Sequence, residues 1–280
     1  MICVLGASGR LGSILRTLWR RNDVIWSRRS QGAGWFACDL MTGPLPEMGG
    51  LQGGVVLCLA GVVPGPGADL DMNAGIAVRA CELARANGAR HVFLASSAAI
   101  YGSAALTDPP FAEDTLPQPV SAYGAAKLAA EHAVAQWQAH NAGMGVTHLR
   151  IGNVAGADAV LGRPLDARRL VDPVAGSTGG PLRSYIGPQG FAQVLSGLSN
   201  LALTGGEIPP ILNISAPSPV TMGALLTAAG VDWTAGPVNP SVIPSVVLGT
   251  GRLERLLPGQ AGTGIAADLV TEWRAWRGRQ

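Results

Sequence analysis

A tyrosine and a lysine four residues apart suggest the clearest chemistry in the chain. Tyr123 and Lys127 begin the strongly helical stretch Tyr123–His140, so their i,i+4 spacing places a phenol and an ammonium on one helical face. A phenol with a pKa near 10 is almost wholly protonated at neutral pH, and a nearby positive charge favours its ionised form. Such a tyrosine can exchange a proton with a carbinol or carbonyl oxygen while a hydride moves. The pair therefore predicts acid/base catalysis of a hydride transfer.

A serine lies where a parallel strand should end. Ser96-Ser97 follows the apolar run His91–Ala95, which is typical of a buried strand. Ligands of open α/β sheets bind at the carboxyl ends of the strands. We therefore expect the Ser97 hydroxyl to hold a substrate oxygen beside Tyr123.

A glycine-rich turn near the first residue has the spacing of a phosphate-binding loop. It follows the apolar run Ile2–Leu5, precedes the helical pattern Leu11–Trp19, and has the form GxxGxxG over Gly6–Gly12. Glycine lets the chain reverse sharply and lets backbone amides approach a pyrophosphate, and the helix N-terminus favours negative charge. The turn predicts dinucleotide binding by the loop residues Gly6, Ser8, Gly9, Arg10, Leu11 and Gly12.

The residues after the second apolar run, Val24–Trp26, bear on the choice of cofactor. NAD sites carry an acidic residue there that accepts from the ribose 2′-hydroxyl, and this chain has none. The side chains of Ser27, Arg28 and Arg29 instead suit the 2′-phosphate of NADP, and Arg10, inside the glycine loop, could also contact that phosphate. NADP is therefore favoured over NAD.

Two further strand ends complete the predicted cofactor site. Asp39-Leu40 follows the third apolar run, where a carboxylate can accept from the adenine amino group. Ala60-Gly61 follows the fourth, where small residues let a cofactor lie close to the backbone. These four residues join the loop and the arginines as predicted cofactor contacts.

The elements that must position these residues alternate between apolar runs and helical patterns. A helical pattern covers Met72–Asn87, and a further apolar run covers Val146–Ile151. Continuous apolar strands indicate a sheet covered on both faces, and strand–helix alternation indicates parallel pairing. The predicted fold is α/β, a doubly wound (Rossmann) parallel sheet that forms an NAD(P)-binding domain over residues 1–152.

The remaining residues, 153–280, are predicted to form a small, loop-rich substrate-binding cap. The chain has 39 Gly and 20 Pro among 280 residues, and the stretch Gly152–Pro188 is rich in both without clear periodicity. Segments at about 184–203 and 211–215 are expected to return to the core. Further helices are predicted at Thr221–Ala229 and Ala266–Arg277.

Composition excludes several classes of partner. The 20 Lys and Arg residues nearly balance the 18 Asp and Glu, without the basic stripe of a nucleic-acid-binding protein. Apolar runs such as Val55–Val63 are far shorter than the ~20 residues that span a membrane. The cysteines have no CxxC spacing and the histidines no HExxH motif, so no metal site is expected. Free thiols and the lack of a signal-like N-terminus favour a cytoplasmic location.

On these residues the chain resembles the extended short-chain dehydrogenase/reductases, the NAD-dependent epimerase/dehydratase family. The resemblance covers about residues 1–156 well and the remainder loosely. It is carried by five stretches: Gly6–Gly12, Phe93–Gly102, Phe111–Asp114, Pro119–Glu131 and Leu149–Gly156.

The resemblance implies roles for individual residues. Ser97 matches the family's catalytic serine, Tyr123 its acid/base, and Lys127 the residue that binds the nicotinamide ribose and lowers the tyrosine pKa. Asn153 matches a substrate contact of sugar-nucleotide members. Arg183 resembles the arginine that meets the nucleotide diphosphate, although nearby glycines replace the usual polar residues.

The resemblance leaves two activities open. The family's 4,6-dehydratases carry a Thr-Asp-Glu run at the strand-end hydroxyl, and this chain has Ser97-Ala98-Ala99 instead, which disfavours dehydration. Two activities remain, NAD(P)-dependent epimerisation or carbonyl reduction, in either case of a sugar or nucleotide sugar. The alternative from another class is a non-catalytic NAD(P)-binding sensor of the same fold. The intact set of Ser97, Tyr123 and Lys127 argues against a sensor.

The resemblance also predicts a homodimer. The segments Met72–Asn87 and Tyr123–His140 of two chains would form a four-helix bundle. The small side chains over Gly124–Ala130 would allow such close packing, and they would equally suit packing against the sheet.

Overall fold

Short apolar runs in the first half of the chain form strands, and helices connect them. The computed structural model describes residues 1–164 and 168–280. The elements of this half are β1 (Ile2–Leu5), α1 (Arg10–Leu18), β2 (Val24–Arg28), β3 (Phe36–Ala37), β4 (Val55–Cys58), α2 (Met72–Ala86), β5 (His91–Ser97), α3 (Ala122–Ala139) and β6 (Gly145–Ile151). The alternation predicted from the sequence is confirmed, with ends that differ by only one or two residues.

The second half contains more strands than the sequence indicated. Its elements are β7 (Asn153–Val154), β8 (Arg169–Val171), β9 (Leu182–Ile186), α4 (Pro188–Leu203), β10 (Ile211–Ile214), β11 (Pro219–Thr221), α5 (Met222–Ala228), β12 (Trp233–Ala235), β13 (Ser245–Val246), α6 (Gly251–Leu256) and α7 (Ala266–Arg277). The stretch 152–188, expected to consist mainly of loops, holds three of these strands. They are short and pair with distant segments, so local periodicity does not reveal them.

The chain divides into two compact units whose segments alternate along the sequence. The first unit comprises Met1–Ile100, Pro119–Arg150 and Leu195–Leu212. The second comprises Tyr101–Gln118, Ile151–Val194 and Asn213–Gln280. The sequence placed one boundary near residue 152, and in the structure the second unit also takes up residues 101–118.

The first unit is built on a seven-stranded sheet in the order β10-β6-β5-β4-β1-β2-β3. Pairing is parallel from β3 through β2, β1 and β4 to β5. Every residue of β1 and β4 is at most 2% exposed, as in a sheet covered on both faces. The predicted doubly wound α/β fold is confirmed, and its parallel order places the ends of β1, β4 and β5 at one edge.

The second unit contains smaller sheets. In one, β9 lies between β11 and β13 and also pairs with β7, and in the other β12 pairs with β8. The carboxylate of Glu272, on α7, accepts from the backbone N–H groups of Gln189 and Gly190 at the start of α4. Helix α7 buries Trp273 and Trp276. This unit is therefore a packed body and not a set of loops.

Candidate active site

Helix α3 begins next to the end of strand β5. The Ser121 side chain caps the helix by accepting from Gly124 N at 3.1 Å. A Cβ on Gly124 would collide with the carbonyl oxygen of Ala99, so the first helical turn packs directly on the backbone that follows β5. This close approach brings Tyr123 to Ser97.

The Tyr123 phenol lies close enough to the side chain of Ser97, the last residue of β5, for the Ser97 hydroxyl to lower the tyrosine pKa. Ser97 Oγ also accepts from Ala99 N at 3.2 Å, which holds the hydroxyl at the strand end. Burial raises the pKa of Tyr123 above its ordinary value, and the neighbouring Ser97 hydroxyl offsets part of the rise. The lowered tyrosine pKa implied by the resemblance is therefore not a property of the chain on its own, because desolvation of the phenolate dominates.

Lys127 lies one helical turn after Tyr123 and is 7% exposed. Its Nζ donates to Ala95 O at 3.0 Å and lies 5.9 Å from the centre of the Tyr123 ring. Burial lowers the pKa of Lys127, and the Cys58 thiol and the Glu131 carboxylate oppose that shift. Lys127 is also the only lysine among the 20 Lys and Arg residues. The site thus holds a single amine, buried within reach of the phenol.

The turn after β4 approaches the same amine. A Cβ on Gly61 would lie 2.9 Å from both Lys127 Nζ and Asn73 Oδ1. Asn73, which is 2% exposed, donates to Val62 O and Leu70 O and accepts from Val62 N. It therefore fixes the turn that contains Gly61. No motif in the sequence singled out Asn73, which lies at the start of α2.

The predicted phosphate loop has the geometry that its glycines allow. Gly6 has φ +73°, and a Cβ there would lie 2.6 Å from Ala60 N. Gly9 N donates to Gly6 O at 3.0 Å, which closes the turn. A Cβ on Gly12 would collide with the backbone of Ala7. Gly9 is the N-cap of α1 and offers no side-chain cap, so the amides at this helix start can receive an anion.

A cavity of about 500 Å³ lies along this loop and the neighbouring strand ends. That volume is within the range of small-molecule and cofactor pockets. Nine of the predicted cofactor residues line it: Gly6, Ser8, Gly9, Arg28, Arg29, Asp39, Leu40, Ala60 and Gly61. The parallel sheet therefore brings together residues that are far apart in the sequence.

The two arginines after β2 differ in their surroundings. Arg28 donates to Ser30 O at 3.0 Å and to Gln31 O at 2.7 Å, and its guanidinium lies 5.1 Å from the Trp35 ring centre. These contacts hold the loop after β2. Arg29 is exposed and lines the cavity without a hydrogen bond in the described part of the chain. Of the two, Arg29 is the more accessible to a ligand.

Of the other predicted cofactor residues, some line the cavity and others hold the elements beside it. Asp39 accepts from Met41 N at 2.9 Å, and this hydrogen bond lowers the carboxyl pKa, so the group is charged at neutral pH. Ser27 is buried, and its carbonyl oxygen accepts from Ala7 N at 2.9 Å, so it ties β2 to the loop. The residues that start α1 and do not line the cavity are Arg10, Leu11 and Gly12.

A buried ion pair follows Lys127 along α3. Arg150, on β6, donates to both carboxylate oxygens of Glu131, and the two side chains are 4% and 7% exposed. Ser96 Oγ donates to the same carboxylate. Sequence reasoning missed this pair, because Arg150 lies on a different element and no spacing rule links it to Glu131.

Two of the three predicted substrate residues, Asn153 and Arg183, lie in the second unit. Asn153 is half-buried on β7, opposite Tyr185 of β9. Arg183 donates to Leu182 O and Ile243 O, both at 2.8 Å, so its guanidinium is engaged with the backbone of its own unit. Their roles toward a substrate stay predictions.

Residues 1–164 and 168–280 offer little sign of other kinds of site. No three His, Cys, Asp or Glu side chains there are arranged to hold a metal ion. Over the same residues, no helix combines the length and apolarity that crossing a membrane requires. All four cysteines are buried and free, and burial raises the pKa of Cys81 to about 12, which keeps this thiol protonated.

Known proteins that are similar to this chain include one sequence relative and two solved structures. The chain is 37% identical over 90 residues to the UDP-glucose 4-epimerase of Corynebacterium glutamicum, which is 32% of this chain and 26% of that protein. The match thus spans about a quarter of that relative's length. The structure of MoeE5 in complex with UDP-glucose and NAD shares 24% identity, with a TM-score of 0.77 over 99% of this chain and 98% of that one. The structure of RMD from Pseudomonas aeruginosa complexed with NADPH shares 19% identity, with a TM-score of 0.69 over 100% and 99%.

The pattern of one protein family matches the first half of the chain and extends beyond it. Its description is the NAD dependent epimerase/dehydratase family, and it matches residues 2–172. The matched region includes the glycine loop, the end of β5 and the start of α3. The chain belongs to the NAD dependent epimerase/dehydratase family.

Proposed function

We propose that this protein is an NAD(P)-dependent epimerase of a nucleotide-linked sugar, with Tyr123 as its acid/base. The observation that carries the proposal is that Ser97 and Tyr123 lie next to each other, at the sheet edge that also bears the glycine loop. Lys127, the chain's one amine side chain, lies one helical turn from that phenol.

The residues of the first unit fit a dinucleotide cofactor. Gly6 leaves room that a Cβ would fill, and the cavity beside it is about 500 Å³. The loop amides at the start of α1 would hold the pyrophosphate. When bound, the cofactor supplies an acceptor and donor of hydride.

The roles of the protein residues follow from their contacts. Ser97 would orient the reacting oxygen of the sugar, and Tyr123 would take its proton as the carbinol is oxidised and return one on reduction. Lys127 would contribute a positive charge that favours the ionised phenol. A proton acceptor works best with a pKa near the operating pH, so the raised pKa of Tyr123 must fall when the site is loaded.

Epimerisation is favoured over two other reactions. Dehydration needs an acid and a base next to the strand-end hydroxyl, and Ala98 and Ala99 occupy those positions. Carbonyl reduction is the second candidate, because the same acid/base serves it. The curated relative, a UDP-glucose 4-epimerase, supports epimerisation. The two reactions differ in that an epimerase ends each cycle with the cofactor in its starting redox state.

The cofactor preference that we propose is NADP. Its support is local: no carboxylate ends β2, and Arg29 lies at the cavity with its guanidinium exposed. The structural relatives named above were bound to NAD in one case and to NADPH in the other.

The proposal also covers the class of substrate, the oligomeric state and the cellular location. We infer a nucleotide sugar contacted by Asn153 and Arg183, a homodimer formed through α2 and α3, and a cytoplasmic location. The two helices pack against each other within one chain, as a four-helix interface would need. Light scattering during size-exclusion chromatography tests the dimer.

The test of the proposed function is turnover of UDP-sugars. Wild-type protein with catalytic amounts of NAD or NADP should interconvert UDP-glucose and UDP-galactose, or another UDP-sugar pair, without net absorbance change at ~340 nm. Tyr123→Phe should lose about 10²–10⁴-fold of that rate. Trp137→Phe, which alters an aromatic residue on the same helix, should retain it. A carbonyl reductase would instead consume one reduced cofactor per turnover, and a sensor would bind cofactor without any conversion.

A further inference from the structure

The helical face that carries Tyr123 and Lys127 continues to Glu131. These three residues are spaced four apart on α3, so they form a row along one side of the helix. Lys127 and Glu131 are each 7% exposed. The buried ammonium therefore has a phenol on one side and a carboxylate on the other, and either could bind it.

The carboxylate is already occupied. Glu131 Oε1 accepts from Arg150 Nε at 3.2 Å and from Ser96 Oγ, and Oε2 accepts from Arg150 Nη2 at 2.8 Å. Lys127 Nζ donates instead to Ala95 O at 3.0 Å. No ion pair between Lys127 and Glu131 is formed in the described part of the chain. Arg150 thus takes the place that the lysine would otherwise take.

The lysine has room to turn towards the carboxylate. Lys127 and Glu131 both line one small cavity of about 20 Å³, so the two groups face the same space. That volume is enough for a single water molecule. The two groups stay apart while Glu131 accepts from Arg150 and Ser96 and Lys127 donates to Ala95 O.

The other groups that face Lys127 are uncharged near neutral pH. They are the Cys58 thiol of β4, the Asn73 amide of α2, the Ser96 hydroxyl of β5 and the His148 ring of β6. Burial raises the pKa of Cys58 to about 11 and lowers that of His148. The Glu131 carboxylate, which is paired with Arg150, is therefore the charge that acts on the ammonium from one side, and Tyr123 lies one helical turn away on the other side.

We propose that Arg150 and Glu131 are positioning residues for Lys127. Arg150 occupies both oxygens of Glu131, so the ammonium stays beside Tyr123 and does not form an ion pair one turn further along the helix. Glu131 meanwhile offsets the charge of the buried ammonium from a distance. The catalytic purpose of this arrangement rests on the proposed function, whereas the arrangement itself does not.

The single lysine makes a direct test possible. Full-length protein produced with ¹³C-labelled lysine carries one labelled side chain, and the pH dependence of its Cε resonance gives the pKa of Lys127. Glu131→Gln should lower that midpoint by about one unit, because it removes the charge that favours the ammonium. Arg150→Gln should raise it by about one unit, because the freed carboxylate then pairs with Lys127 directly.

The double variant separates electrostatics from packing. Glu131→Gln combined with Arg150→Gln removes both charges, so its midpoint should lie above that of Glu131→Gln and within about half a unit of wild type. If Arg150→Gln does not stay folded, as judged by circular dichroism, the test rests on the order of the Lys127 titration midpoints in the wild type, Glu131→Gln and the double variant. Shifts of the same sign in both single variants, or a double variant no higher than Glu131→Gln, would overturn the proposal.

The titration is independent of the proposed function. It needs neither cofactor nor substrate, and calorimetry with NAD and NADP on the wild-type protein is a separate measurement. Absence of cofactor binding would contradict the proposed function alone. Normal cofactor binding with unshifted lysine midpoints would contradict the positioning role alone.

Discussion

The ammonium nitrogen of Lys127 lies 5.9 Å from the centre of the Tyr123 ring, with one hydrogen bond to Ala95 O at 3.0 Å. At that separation in a buried site it does not offset the desolvation of the phenolate, and the pKa of Tyr123 is raised. The proposed acid/base thus needs a second positive charge to ionise near neutral pH. We expect the oxidised nicotinamide ring to provide it, so ionisation of Tyr123 should depend on the bound cofactor.

Tyrosinate absorbance at ~295 nm should show this dependence. Of the three tyrosines, Tyr101 and Tyr185 are at most 2% exposed and donate to Asn213 and Asp158, so Tyr123 should be the first to ionise in the folded chain. Adding the oxidised cofactor should lower the Tyr123 midpoint by about one unit or more, and the reduced cofactor should not. Tyr123→Phe should abolish the transition. Equal midpoints with both redox forms would contradict this account of the phenol.

Two glycines with almost equal backbone angles test the dinucleotide loop. Gly6 has φ +73°, and a Cβ added there would lie 2.6 Å from Ala60 N, whereas Gly34 has φ +72° with nothing within 4 Å of the same position. Gly34→Ala should lower the free energy of unfolding by about 1 kcal/mol, the cost of the left-handed conformation alone. Gly6→Ala adds a backbone overlap, so urea unfolding should show a loss of at least about 3 kcal/mol, and cofactor binding should be lost. Equal losses in the two variants would show that the loop does not need this close approach.

Cofactor selectivity should separate the two arginines after β2. Arg29→Ala should weaken NADP binding by about tenfold and leave NAD binding unchanged, because only NADP carries the 2′-phosphate. Arg28→Ala should weaken both cofactors, because it releases the loop held at Ser30 and Gln31. Calorimetry on the three proteins measures this directly. Tighter binding of NAD than of NADP by the wild type would refute the preference.

A buried histidine should make the stability of the first unit depend on pH. Burial lowers the pKa of His91 to about 4 from its ordinary value of 6.5. Between pH 6.5 and about 4, His91 is protonated in the unfolded chain and neutral in the folded one. Lowering the pH through this range therefore favours unfolding and removes up to about 3 kcal/mol of stability. The Thr147 hydroxyl donates its one hydrogen to Pro209 O, so His91 Nε2 is the donor in its contact with Thr147 Oγ1. A glutamine at position 91 can donate to Thr147 through its side-chain amide in the same way.

Urea unfolding at several pH values measures that loss. His91→Gln should flatten the fall in stability between pH 7 and about 4.5, because no group then gains a proton on unfolding at this position. His132→Gln, at an exposed position on α3, should leave the fall unchanged. An unchanged pH dependence in His91→Gln would show that another group controls acid sensitivity.

Local sequence patterns predicted the parts of the site that each rest on one short segment. The loop at Gly6, the strand end at Ser97 and the helix start at Tyr123 were all located, because turn chemistry and helical spacing are encoded within a few residues. The α/β sheet followed from the same patterns. These predictions succeed where the neighbouring residues in sequence are also the neighbours in space.

The remainder depends on contacts between distant segments. The partner of Glu131 is Arg150 on β6, and Arg28 turns back to its own loop carbonyls, neither of which a spacing rule reveals. The short strand β9 was missed because its partners β11 and β13 lie more than 30 residues further along the chain. Burial also reversed one electrostatic expectation: a lysine near Tyr123 is visible in the sequence, but the desolvation that raises the tyrosine pKa is not.

The most direct test of the central claim follows a hydrogen label through the reaction. Wild-type protein with oxidised cofactor is incubated with UDP-sugars that carry deuterium on the carbon to be inverted, and the product is analysed by mass spectrometry. In the proposed mechanism the deuterium moves as hydride to the cofactor and back, while Tyr123 transfers only the hydroxyl proton. The epimer should therefore keep its deuterium, and Tyr123→Phe should form the epimer at least about 100-fold more slowly. Loss of the label to solvent, or an undiminished rate in Tyr123→Phe, would contradict this mechanism.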